Sequence, residues 1–98
     1  MSETISVRIP ENEQKEIDTL SRLNRRKKSE VLREVLHRGI QDMKLEFALE
    51  KFKREEATAA KAAYLAGVPL TQFLDVLSER KIELHYTLKE LKEDFEGL

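Results

Sequence analysis

The sequence predicts a mainly α-helical chain that opens with one β-strand. Three observations lead there. The 98 residues hold only three glycines and two prolines, with 40% hydrophobic and 38% charged positions, a composition that favours helices. Apolar residues recur at helical spacing over most of the chain. The exception is Thr4-Ile5-Ser6-Val7-Arg8-Ile9, which alternates polar and apolar at every step, the period of a half-buried strand.

Each element follows in order. Ile5, Val7 and Ile9 fall on one face of the strand, Thr4, Ser6 and Arg8 on the other. Pro10 stops the strand and opens a helix, and Glu11 and Glu13 suit the positive end of its dipole. Ile17, Leu20 and Leu23 carry that helix from about Glu11 to Leu23. Asn24 to Lys27 is a short basic connection. The next helix begins near Lys28-Ser29, with Val31, Leu32, Val35, Leu36 and Ile40 as its apolar stripe and Glu34 and Arg38 paired four apart. Gly39 predicts a bend. Beyond it Leu36, Ile40, Met43 and Phe47 step by four, three and four, and Leu45, Leu49 and Phe52 form a second stripe. Lys53 to Glu56 marks a boundary. Thr58 caps a short helix through Ala62, Ala63 and Leu65, and Gly67 and Pro69 make the turn after it. Leu70, Phe73, Leu74 and Leu77 form a further helix to about Arg80. Ile82 to Tyr86 alternates as a second short strand, and Thr87-Leu88-Lys89-Glu90 opens a last helix with capping-box spacing. The expected division is a strand-and-two-helix domain at 1–43 and a helical partner-binding or oligomerisation module at 44–98.

The net charge of −1 divides into +1 over residues 1–43 and −2 over residues 44–98. The local pattern is sharper. Arg22, Arg25, Arg26, Lys27 and Lys28 form a run with no acidic residue among them. A chain this short encloses little volume, and no nucleophile–base pair or phosphate-binding glycine loop is present, so an enzyme is not expected. Without cysteine there is no disulfide and no thiolate metal site. His37 and His85 lack neighbours at metal-ligand spacing, and no cofactor is expected. The polar start and the shortness of the longest apolar stretch argue against a targeting or membrane segment, so the expected compartment is the cytoplasm.

A lone strand needs a partner for its backbone groups and its apolar face. That partner is either Ile82–Tyr86 or the same strand of a second copy. The second solution makes a two-stranded ribbon presenting two copies of Thr4, Ser6 and Arg8. Such a ribbon fits the DNA major groove, where Arg reads guanine and hydroxyls meet base edges. Arg25, Arg26, Lys27, Lys28 and Ser29, at a helix start, would hold phosphate. Ile5, Val7, Ile9, Ile17, Leu20, Val31, Leu32, Val35 and Leu36 would form the dimer core.

Strand, first helix, basic turn and Lys28-Ser29-Glu30-Val31-Leu32-Arg33-Glu34-Val35-Leu36 together resemble the ribbon-helix-helix DNA-binding proteins, the relatives of Arc, MetJ and CopG, over residues 3–40. The resemblance implies an intertwined homodimer on double-stranded DNA, able to assemble further along it. Where that family often has glycine in the inter-helix turn, this chain has Arg25-Arg26-Lys27. The stretch from Ala59 to Leu74 resembles a small helix-turn-helix segment of prokaryotic, often archaeal, antitoxin-like proteins. That likeness implies an antitoxin that represses its own operon and binds a toxin, commonly a PIN-domain ribonuclease, through the C-terminal half. Tyr64, Phe73, Leu77 and Tyr86 are the candidate partner contacts, although Phe73 and Leu77 also read simply as core. The other readings are an interaction or assembly module without DNA binding, which would follow from strand pairing inside one chain, and a transcription factor with no toxin partner.

Overall fold

The computed structural model describes residues 2–84. The chain is mainly helical, with four helices among those residues: α1 (Glu11–Asn24), α2 (Lys28–Lys53), α3 (Ala59–Ala66) and α4 (Leu70–Glu79). It divides into two compact units, Met1–Arg38 and Gly39–Leu98, with the division falling inside α2.

The expected strands are absent among the described residues. Residues 4–9 are irregular, and so are residues 82–84. The reason is local. A strand is defined by a ladder to a neighbour, and among the described residues Thr4–Ile9 meets no such neighbour. His85, Tyr86 and the last expected helix from Thr87 lie outside the described residues.

Gly39 does not break the helix. α2 runs through it as one helix of 26 residues. An interior glycine costs a helix only about 1 kcal/mol relative to alanine and, unlike proline, keeps its N–H. The Glu34–Arg38 pair expected on this helix is present at 3.0 Å.

The helix ends share one device. After each helix the chain turns through a left-handed residue whose own N–H and the next one bond back to the last turn, the Schellman pattern. At Gly67 the φ angle is 74°. The other three ends use Arg25, Glu55 and Lys81, with φ of 51°, 59° and 55°. The back-bonds are complete at each: Arg25 N to Arg22 O and Arg26 N to Ser21 O, Glu55 N to Phe52 O and Glu56 N to Lys51 O, Lys81 N to Ser78 O and Ile82 N to Leu77 O.

The core belongs to the second unit. Ala48, Leu49 and Phe52 of α2 pack with Ala59, Ala62, Ala63 and Ala66 of α3 and Phe73 and Leu77 of α4. Alanine at four α3 positions lets its neighbours approach closely. The Phe52 and Phe73 rings meet edge to face, 5.9 Å apart at 80°, a favoured aromatic geometry. Thr58 caps α3 by accepting a bond from Lys61 N at 3.1 Å. Arg80 closes onto Glu46 of α2 at 2.6 Å. No described helix is long and apolar enough to cross a membrane.

Candidate nucleic-acid interface

The first unit contrasts with the second. α1 has no buried residue, and Val31 is the one buried hydrophobic among the described residues of the unit. Of the expected dimer core, Ile9, Ile17 and Leu32 are half-buried. Leu20, Val35 and Leu36 are exposed, and Ile5 and Val7 stand 79% and 74% open. A segment of this size rarely holds a fold by itself and usually needs a partner or a staple.

The N-terminal arm is tethered at its base. Gln14 on α1 donates from Nε2 to the carbonyl of Ile9 at 2.7 Å, and Gln14 N bonds Pro10 O at 3.0 Å. Thr4, Ser6 and Arg8 are exposed beyond that anchor. An open groove of about 410 Å³ runs along it, lined by Val7, Arg8, Ile9, Gln14, Ile17, Lys28 and Leu32. The fold thus brings together Arg8, expected to read bases, and Lys28, expected to hold phosphate, although 20 positions separate them in sequence.

The basic turn sorts into two classes. Arg26 is committed to α2: its Nη1 donates to Glu34 Oε1 at 2.6 Å, and its Nε lies 3.6 Å from Glu30 Oε2. The hydrogen bond with Glu34 raises the Arg26 pKa, desolvation opposes it, and the charge of Glu34 and the contact with Glu30 add to the rise. The same bond, aided by the charges of Arg38 and Arg26, holds the Glu34 carboxyl below its ordinary range. Lys28 Nζ sits 3.1 Å from Asp18. Arg22, Arg25 and Lys27 are exposed and make no ion pair among the described residues. They are the cations ready for a phosphate, while Arg26 and Lys28 would first have to exchange a carboxylate. Such exposed pairs are weak enough to yield. Ser29 is exposed in the first turn of α2, where the leading N–H groups lack intrahelical acceptors.

Several contributors carry no sequence signal of this kind. Gln14 acts through a backbone carbonyl. Ser21 donates its hydroxyl to Arg26 O and so helps fix the turn. Asp18, Glu30 and Glu34 decide which cations are occupied. Pairing across a turn depends on geometry that spacing alone does not encode.

In the second unit the expected partner contacts divide. Tyr64 is exposed, with Lys61 Nζ 5.0 Å above its ring. Phe73 and Leu77 are almost completely buried, so they belong to the core, as their helical spacing also suggested. Tyr86 lies outside the described residues.

The class defined so far is a small, mainly helical protein with an exposed basic turn. A profile of the family described as an uncharacterised protein family, UPF0175, matches residues 1–98, and the chain belongs to that family. A UPF0175 protein of Aeropyrum pernix is 37% identical over 54 residues, which is 55% of this chain and 61% of the relative. The match thus spans somewhat under two thirds of that relative's length. No solved structure matches the chain.

Proposed function

We propose that the chain is a non-catalytic, sequence-specific DNA-binding regulator that works as a homodimer. The N-terminal arms of two copies pair as an antiparallel ribbon in the major groove. Thr4, Ser6 and Arg8 read bases; Arg22, Arg25 and Lys27 hold phosphate, joined by Lys28, Ser29 and Arg26. The observation that carries the reading is the exposure of Ile5, Val7, Leu20, Val35 and Leu36 in a unit with one buried hydrophobic. These side chains belong to one face of the arm and two helix faces, and a second copy offers each of them its match. Pairing would also supply the ladder that Thr4–Ile9 lacks among the described residues. Cations on the flanks of such a ribbon divide the work in the usual way, phosphate contacts positioning and base contacts specifying.

The likeness of Ala59–Leu74 to antitoxin-like segments adds a role to this reading: an autorepressor whose second unit, or the residues after it, engages a toxin. Exposed Tyr64 is the contact best placed for that.

The test is a fluorescence anisotropy titration of the protein against its own upstream DNA and a scrambled duplex, at several salt concentrations. Tight binding to the upstream duplex, falling steeply with salt, is expected. Equal binding to both duplexes would remove the base-reading role, and no binding at low salt would remove the DNA role and leave the interaction-module reading.

A further inference from the structure

α2 is apolar on two faces of its C-terminal half. One face, Leu45, Ala48, Leu49 and Phe52, is covered by α3 and α4. The other carries Ile40, Met43 and Phe47, which are 57%, 75% and 55% exposed. They follow one another by three and four positions, the spacing of a helix-pairing seam, and no described residue of the second unit covers them. We infer that this stripe is a second dimer seam, in which Ile40, Met43 and Phe47 of one copy pack against the same residues of its partner. The inference rests on the homodimer reading for its second copy and extends the contact into the second unit.

The charges beside the stripe select this occupant. Glu46 and Glu50 lie along one edge, Lys44 and Lys51 along the other. Three of the four are already compensated: Glu46 by Arg80 at 2.6 Å, Glu50 by Arg54 at 2.9 Å and Lys51 by Glu56 at 2.7 Å. Lys51 also stands 5.6 Å above the Phe47 ring, its charge held at the edge of the stripe. An acidic peptide, a basic peptide or an anionic membrane would find no field of one sign to attract it. A copy of the same face offers apolar surface of equal length and both signs at its rim. The depletion of free charge around large apolar side chains is also the composition of an interface centre.

The chain has no cysteine, so cross-linking through an introduced one is clean. Met43→Cys should couple rapidly into a covalent dimer with a short bismaleimide. Asp42→Cys, exposed one position away on a different face, should couple far more slowly. Phe47→Gln should weaken the dimer at least about tenfold, read by sedimentation velocity over a dilution series. Its folded state is checked by circular dichroism, and the cross-linking pair stands independently of it. Ile5→Glu separates the two seams, because it strikes the ribbon alone. A wild-type chain that stays monomeric at high concentration overturns both this seam and the ribbon dimer. A dimer that Ile5→Glu dissociates, with no preference for Met43→Cys over Asp42→Cys and no effect of Phe47→Gln, overturns the seam only and leaves the stripe to a different protein. Preferential cross-linking in a dimer that ignores DNA supports the seam while the DNA reading fails.

Discussion

Replacing Arg25 by glycine should stabilise the protein while weakening its grip on DNA. Arg25 ends α1 at φ 51°, ψ 44°, a left-handed conformation that costs a residue with a Cβ about 1–2 kcal/mol. Glycine removes that cost but loses about 0.5–1 kcal/mol more chain entropy on folding. The net gain is therefore roughly 0.5–1 kcal/mol, or about 2–8 °C in Tm for a chain of this size. Little packing is lost with the side chain, because Arg25 is exposed and makes no ion pair among the described residues. Glu55→Gly is the matched control, with φ 59° at the end of α2 and no cation removed from the basic turn. Thermal unfolding followed by circular dichroism should show both variants melting higher. Titration at several salt concentrations should show Arg25→Gly alone with a shallower salt slope, by about two units, one phosphate contact being lost from each copy of the dimer. A lower Tm for both would refute the backbone argument. An unchanged salt slope for Arg25→Gly would remove Arg25 from the phosphate contacts.

Other outcomes follow from the same geometry. Arg8→Ala should cost about 1–3 kcal/mol on the specific site and relax the base preference there; an equal loss on scrambled DNA in the same titration would count against base reading. Phe73→Ala should cost about 3–5 kcal/mol, since the side chain is fully buried against Phe52, and a Tm within a few degrees of wild type would contradict the assigned core. Thr58→Ala should cost about 1 kcal/mol by removing the cap on Lys61 N, read as a lower urea midpoint. For pH, the hydrogen bond from Lys51 holds the Glu56 carboxyl below its ordinary value of 4.5, as the bond from Arg26 does for Glu34. A depressed folded pKa means stability that is present above 4.5 and fades as pH falls through the folded values. Both groups are exposed, so the effect is small. Glu56→Gln should flatten the acid limb of a Tm-against-pH curve and leave the neutral plateau nearly unchanged; a steeper acid limb in the variant would reverse the assigned sign.

Much of this protein was legible in the sequence, and the reason is that local rules govern what was legible. Helix starts at Glu11, Lys28, Ala59 and Leu70 follow from Pro10, the basic turn, Thr58 and Pro69, each acting within a few residues. The Gly67 turn follows from a backbone preference of one residue. Where several local signals competed, the sequence misled. Gly39 suggested a break or bend, but α2 runs on as one helix, because a long helix absorbs one glycine at small cost. Arg25, Glu55 and Lys81 gave no hint of left-handed turns, because the completed back-bonds of each helix end outweigh the strain of the residue that makes them possible.

The sequence by itself determined the helical character, the spacing of the stripes and the concentration of positive charge between the first two helices. The tertiary structure alone decided which charges are spent and which apolar faces are covered. Those outcomes depend on which side chains meet in space. Arg26 turns to Glu34 and Lys28 to Asp18, leaving Arg22, Arg25 and Lys27 open. One face of α2 is sealed by α3 and α4, while Ile40, Met43 and Phe47 on another face stay exposed. A periodic pattern tells how many apolar faces a helix has, but burial is a property of neighbours, and only the fold supplies them.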